Sequence, residues 1–164
     1  MQESHYTLGI DVACRAAHVA TLSDAAGVKV WTNHRFTTST AQLEALWAKI
    51  PSGATVTVVV EPTRNAWVPV AAWLHGRGAR VVLVPPEQSA DLRRYYDKYT
   101  KNDRLDSVVL SRLPLLHPEG LTVVHDFGPA EPMRRAVRRR ARFVEDRVRS
   151  LARLVALGRV SRTV

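Results

Sequence analysis

Four acidic residues, Asp11, Glu61, Asp103 and Asp106, are placed along the chain so that together they could hold divalent metal. Asp11 follows the apolar run Leu8-Gly9-Ile10, and Glu61 follows Val58-Val59-Val60. An acid at the end of an apolar strand is where α/β proteins commonly build a site. Taken alone, either one also reads as a turn-initiating Asp or a solvent-facing Glu. Asp103 and Asp106 stand three residues apart, which on a helix is about one turn on one face. Four carboxylates gathered without a counter-ion raise one another's pKa values, and a divalent cation relieves that repulsion. An all-oxygen ligand set suits Mg²⁺ or Mn²⁺ and argues against zinc. The chemistry it serves is an in-line displacement at phosphorus, with two ions about 3.5–4 Å apart on the attacking and leaving oxygens.

The elements that must position these acids can be read from periodicity. Tyr6–Val12, Ala16–Leu22 and the alternating Val28, Val30, Thr32 stretch are three strands, the last pair joined by the turn Asp24–Gly27. They form an antiparallel meander. Ser39 or Thr40 caps a helix carrying Leu43, Leu46, Trp47 and Ile50, stopped by Pro51-Ser52-Gly53. Thr55–Val60 is β-branched throughout, as in a strand buried on both faces. A helix over about Ala66–His75 carries Trp67, Val70, Ala71 and Leu74 and closes at Gly76 or Gly78; the strand Arg80–Val84 stops at Pro85-Pro86. Strand, helix and strand of this size imply a right-handed parallel crossover. Further helices follow near Glu87–Lys98 and from about Asp103. A meander followed by βαβ units is the order of an RNase H-like α/β fold, a mixed five-stranded sheet flanked by helices. In it the strands ending at Asp11 and Glu61 are neighbours.

Composition narrows the class. The chain has 164 residues, 46% of them hydrophobic, enough for a real core. One cysteine, Cys14, excludes an intrachain disulfide framework and suits a reducing cytoplasm. No run of roughly 18 apolar residues and no basic-then-apolar leader appears, so a cytoplasmic protein without a membrane partner is expected. The net charge of +9 is concentrated: from Glu131 onward eleven arginines face three acids. A polyanion such as DNA or RNA explains that excess, and a solvated arginine-rich helix face is the plainer alternative.

In this last segment Val137, Ala141, Val144, Val148, Leu151 and Val155 recur at alternating steps of four and three, keeping an apolar seam toward one partner. A helix of about 27 residues from Glu131 would run roughly 40 Å, and Gly158 is expected to end it. Two readings stand: a helical arm that dimerises or leads into another domain, and a third core helix. We divide the chain into a catalytic domain, residues 1–128, and a basic arm, residues 129–164.

Several other residues bear on binding. Arg93, Arg94, Lys98 and Lys101 surround Tyr95, Tyr96 and Tyr99. The tyrosines share a helical stripe with Leu92 and are expected to pack on the core, leaving the basic groups to meet phosphates. Arg64 and Arg104 each lie within three residues of a motif acid. Arg134, Arg135, Arg138, Arg139 and Arg142 supply the arm's phosphate contacts. The six histidines show no metal-ligand spacing, Cys14 is expected to be packed, and Gly76-x-Gly78 is a helix stop.

The motif Gly9-Ile10-Asp11-Val12, then Glu61-Pro62-Thr63-Arg64-Asn65-Ala66-Trp67, then Val84-Pro85-Pro86 with Lys101-Asn102-Asp103-Arg104-Leu105-Asp106, resembles the DEDD transposases of insertion sequences. Their N-terminal domain is similar to the Holliday-junction resolvase RuvC. The resemblance covers about residues 5–160 and implies catalytic and metal-binding roles for Asp11, Glu61, Asp103 and Asp106, with Mg²⁺ or Mn²⁺. It further implies donor and target DNA, a structured guide RNA as partners, and self-association through the arm. Complete members continue into a second domain with a nucleophilic serine, and no serine here takes that part, so a fragment or truncated recombinase is expected. The competing expectation is a catalytically incompetent piece that binds nucleic acid and dimerises. A sugar-kinase or actin-like ATPase also opens on a Gly-Ile-Asp strand, but needs a second lobe with its own phosphate loop.

Overall fold

The computed structural model describes residues 4–62, 64–85, 88, 90, 91, 94, 105–125, 127 and 130–160, with only the backbone at 105, 106, 130–132, 135 and 157–160. Three strands open the chain: β1 (His5–Asp11), β2 (His18–Asp24) and β3 (Lys29–Phe36). The β2–β3 turn is tied by Asp24, whose Oδ1 accepts the amides of Ala26 and Val28 at 2.9 and 2.8 Å. Gly27 completes it at φ 77°, a backbone angle that costs glycine nothing.

Helix α1 (Thr40–Trp47) has Ser39 at its N-cap, as expected, but the Ser39 side chain makes no capping bond. Gln42 instead reaches back, its Oε1 accepting the Thr37 amide at 2.6 Å. Next come β4 (Thr55–Val60), α2 (Trp67–Gly76) and β5 (Arg80–Leu83). The helix expected near Glu87–Lys98, with its tyrosine stripe, falls largely outside the described residues. Then α3 (Leu105–Leu116), β6 (Thr122–Val124) and α4 (Ala130–Val160) complete the order.

The sheet runs β3-β2-β1-β4-β5-β6. β1 pairs parallel with β4, and β4 with β5, while the β1–β2, β2–β3 and β5–β6 pairs are antiparallel. A six-stranded mixed sheet flanked by helices is an RNase H-like fold. The sheet has one strand more than the five expected, since β6 has only three residues, too few for a visible period.

β4 is buried at every residue after Thr55, consistent with helices on both faces. Val59 packs with Val84 and with Val109, Leu110 and Leu113 of α3. Leu43 and Leu46 of α1 and Val70, Ala71 and Leu74 of α2 are buried as well. Each such large apolar side chain contributes roughly 1.5–3 kcal/mol when fully covered.

The chain divides into two compact units, Met1–His125 and Asp126–Val164. The second is dominated by α4, 31 residues and so roughly 46 Å long. It continues through Gly158, which was expected to stop it; a helix tolerates one glycine at a cost of about 1 kcal/mol. Val137, Val144, Val148, Leu151 and Val155 are all exposed, as are Met133, Phe143 and Leu154. No helix among the described residues is long and apolar enough to cross a membrane.

Candidate active site at the sheet edge

β1 and β4 are in register through Ile10 and Val60. Asp11 and Glu61 are the next residue on each strand, so the two acids leave the sheet side by side, both half-buried. Strand side chains alternate between faces. Gly9 faces α3, so Asp11, two residues on in β1, faces α3 as well, and Val59 of β4 packs on the same helix.

What brings α3 to that edge is a missing side chain. A methyl group on Gly9 would stand 2.8 Å from the carbonyl carbon of Leu110, and nearer still to the Ser111 amide nitrogen and the Ser107 carbonyl oxygen. The helix backbone therefore rests directly on β1. Two buried hydroxyl pairs hold it: Thr21 Oγ1 with Ser107 Oγ, and Ser23 Oγ with Ser111 Oγ, each at 2.9 Å. The match is one of periods. Thr21 and Ser23 are two residues apart on a strand, about 6.7 Å. Ser107 and Ser111 are four apart on a helix, about 6.0 Å.

This ladder also sets direction. Thr21 is the β2 partner of Gly9, and Ser23 that of Thr7. α3 thus runs against β1, its N-terminal end toward Asp11. Asp106 immediately precedes Ser107, so its backbone enters the helix at that edge. Its side chain is not described, and Asp103 lies outside the described residues, as do Arg93, Lys98, Lys101 and Arg104. Among the described residues no three His, Cys, Asp or Glu side chains converge as a metal site. The donors present, two neighbouring carboxylates with oxygens only, fit a hard divalent cation.

The loop after Asp11 is braced by His18, which is buried. Its Nδ1 accepts the Ala13 amide at 3.2 Å, which leaves Nε2 to donate to Thr38 Oγ1 at 2.9 Å. The ring meets Phe36 edge-on, with centroids 5.1 Å apart. Burial pushes the imidazole below the usual histidine range, in keeping with the neutral form this pattern needs. Between β4 and α2, Arg64 takes a left-handed backbone, φ 50°, three residues after Glu61. For a residue with a Cβ this costs roughly 1–2 kcal/mol.

Over residues 8–157 the sequence matches the family model of IS110-type DEDD transposases, described as transposase. The chain belongs to that family. As a transposase it acts on DNA. No curated protein matches the chain.

The other expected contacts of the transposase are distributed as follows. Arg64 and Arg94 are exposed, and Arg94 pairs with Asp91 at 3.6 Å. Arg134, Arg138, Arg139 and Arg142 are exposed on α4, and Arg139 lies over the Phe143 ring at 5.6 Å. Arg135 is on the same helix, with its side chain not described. Cys14, expected to be packed, is exposed in the loop after β1. Sequence reasoning missed the parts that seat α3: Gly9 as a contact point, Thr21, Ser23, Ser107 and Ser111, together with His18. A glycine inside a strand signals close backbone approach. Hydroxyls two apart on a buried strand and four apart on a helix were the remaining signal.

Proposed function

We propose that Asp11, Glu61 and Asp106, with Asp103, hold Mg²⁺ or Mn²⁺ and that the chain carries the strand-cutting centre of the transposase. The observation that carries this reading is the seat of α3 on Gly9, which brings the Asp106 backbone to the edge where Asp11 and Glu61 end their strands. When bound, the metal would polarise the scissile phosphodiester and lower the pKa of an attacking hydroxyl. The carboxylates would orient it, and Ser107, Ser111, Thr21 and Ser23 would keep their helix and strands in place. Arg64, Arg93, Arg94, Lys98, Lys101 and Arg104 would meet phosphates near the centre.

The same reading gives the basic face of α4 to DNA phosphates and, by family resemblance, to a structured guide RNA. The exposed apolar residues of α4 would pair with a second copy of the chain. The work would take place in the cytoplasm, where a single thiol stays reduced. The arm supports a second reading because its arginines and apolar residues are independent of the carboxylates. In that reading the chain grips nucleic acid and self-associates without cutting.

The test uses the full chain. Mn²⁺ should support nicking of branched DNA and also raise the unfolding midpoint, through a stabilisation of about 2.7 kcal/mol at a hundredfold excess over Kd. Asp11→Ala should lose both. Nicking that persists in Asp11→Ala, or in the presence of a chelator, overturns the carboxylate reading. A metal-dependent rise in midpoint without nicking selects the binding-only reading.

A further inference from the structure

A cleft of about 350 Å³ opens on the same sheet edge, between the loop after Asp11, the β3–α1 connection and the start of α2. Neither carboxylate lines it. Its lining includes the small apolar residues Ala16, Ala66 and Pro69, together with Thr37 and Arg15. Among the described residues no acidic side chain lines the cleft, and Arg15 is exposed and makes no ion pair. The shape is held from behind: His18 ties the amide of Ala13 to the hydroxyl of Thr38, joining two of the three walls.

The size lies at the lower end of the range for small-ligand sites, about 300–1,000 Å³. That admits the sugar and base of a single nucleotide and excludes a duplex. A guanidinium without a counter-charge among the described residues matches a phosphate oxygen pair. Small apolar walls accept the face of a base without discriminating its identity, since every base has an apolar face. The family supplies the polymer, because a transposase handles DNA. Continuity supplies the strand, because Ala13 and Ala66 follow Asp11 and Glu61 by only a few residues.

We propose that this cleft receives one unpaired nucleotide of the DNA strand whose backbone crosses the Asp11–Glu61 edge, with Arg15 on its phosphate. A flipped or frayed nucleotide held there fixes the register of the strand against the cutting centre. The proposal rests on the reading that this edge is where DNA is cut. Its test is therefore a binding measurement in chelator, in which no cutting step takes part.

Cys14 is the chain's one cysteine, is exposed and lines the cleft, so it serves as a built-in reporter. The rate of its alkylation by N-ethylmaleimide is measured on the full chain, with and without a short oligothymidylate at a concentration shown by anisotropy to saturate. The oligomer should slow alkylation severalfold, and a blunt duplex at equal occupancy should not. Arg15→Ala should lower the slope of log affinity against log salt by about 0.7, the value for one phosphate on a single strand. Between 1 M and 0.05 M salt, one such contact is worth about an eightfold change in affinity. Ala66→Phe fills the cleft and should remove the protection while leaving duplex binding unchanged.

Unchanged alkylation at saturation overturns the proposal, as does equal protection by duplex, or oligomer affinity that neither variant alters. Failure of the metal reading would show instead in the nicking of Asp11→Ala, which this experiment does not use.

Discussion

Replacing Gly9 with alanine puts the central packing claim at risk with the smallest possible change. The new methyl would lie 2.8 Å from the Leu110 carbonyl carbon and closer to two further backbone atoms of α3. Carbon atoms pack best at about 3.5–4.0 Å, so the helix must retreat by at least about 0.7 Å. None of the three obstructing atoms is the end of a flexible side chain, so local rotation offers no relief. A retreat of that size takes the Thr21–Ser107 and Ser23–Ser111 pairs from 2.9 Å to about 3.6 Å, beyond hydrogen-bonding range. Each lost bond costs about 1 kcal/mol net, and overpacking adds about 1–3 kcal/mol. The expected loss is roughly 3–5 kcal/mol, against a total stability of about 5–15 kcal/mol for a typical domain. Urea unfolding followed by circular dichroism measures it as a lower midpoint at similar slope. The control is Thr21→Val with Ser107→Ala, which removes both partners of one pair and should cost far less, since neither hydroxyl is stranded. A Gly9→Ala midpoint equivalent to within about 0.5 kcal/mol of wild type, the usual scatter of surface substitutions, would refute the seat of α3 on β1.

Stability should also depend on pH through His18. Burial lowers its folded-state pKa below the usual value of 6.5, so the unfolded chain takes up the proton first. Stability should therefore be full above that value and fall as pH drops through it, until the folded state also protonates; His34, lowered by burial and by Lys49, adds in the same sense. Urea midpoints measured across this range should show a shallower slope in His18→Gln, and an unchanged slope would remove His18 from the account. In the arm, joint replacement of Arg138, Arg139 and Arg142 by alanine should lower the salt slope of duplex binding by about 2 to 3, at 0.9 per phosphate lost. Filter binding over a salt series reads this, and an unaltered slope would deny the arm its phosphate contacts. Val148→Glu with Leu151→Glu should shift sedimentation of the chain to the monomer while leaving the urea midpoint of the sheet-containing unit in place. Self-association that survives both charges would exclude the apolar face of α4 as the contact.

Much of this molecule was legible as a linear pattern. Strand ends at Asp11 and Glu61, the β-branched run of β4, the order of the strands and the long charged helix each depend on local alternation or spacing. Those are properties a short window of sequence carries. The family follows from the same motifs in the same order.

Contacts between distant segments were not legible, and the site depends on them. Gly9 and Ser107 are almost a hundred residues apart, and nothing near either one announces the other. Their meeting follows from two unlike periods, strand and helix, happening to match across Thr21, Ser23, Ser107 and Ser111. The sixth strand escaped notice because a three-residue segment becomes a strand only when β5 offers it an edge. Local propensity at Gly158 favours a stop, whereas α4 continues through it. Sequence alone therefore determined which acids the chain possesses and which elements end in them. Tertiary structure decided how closely α3 seats on the strand that ends in Asp11, because only a folded chain can reveal where a side chain must be absent.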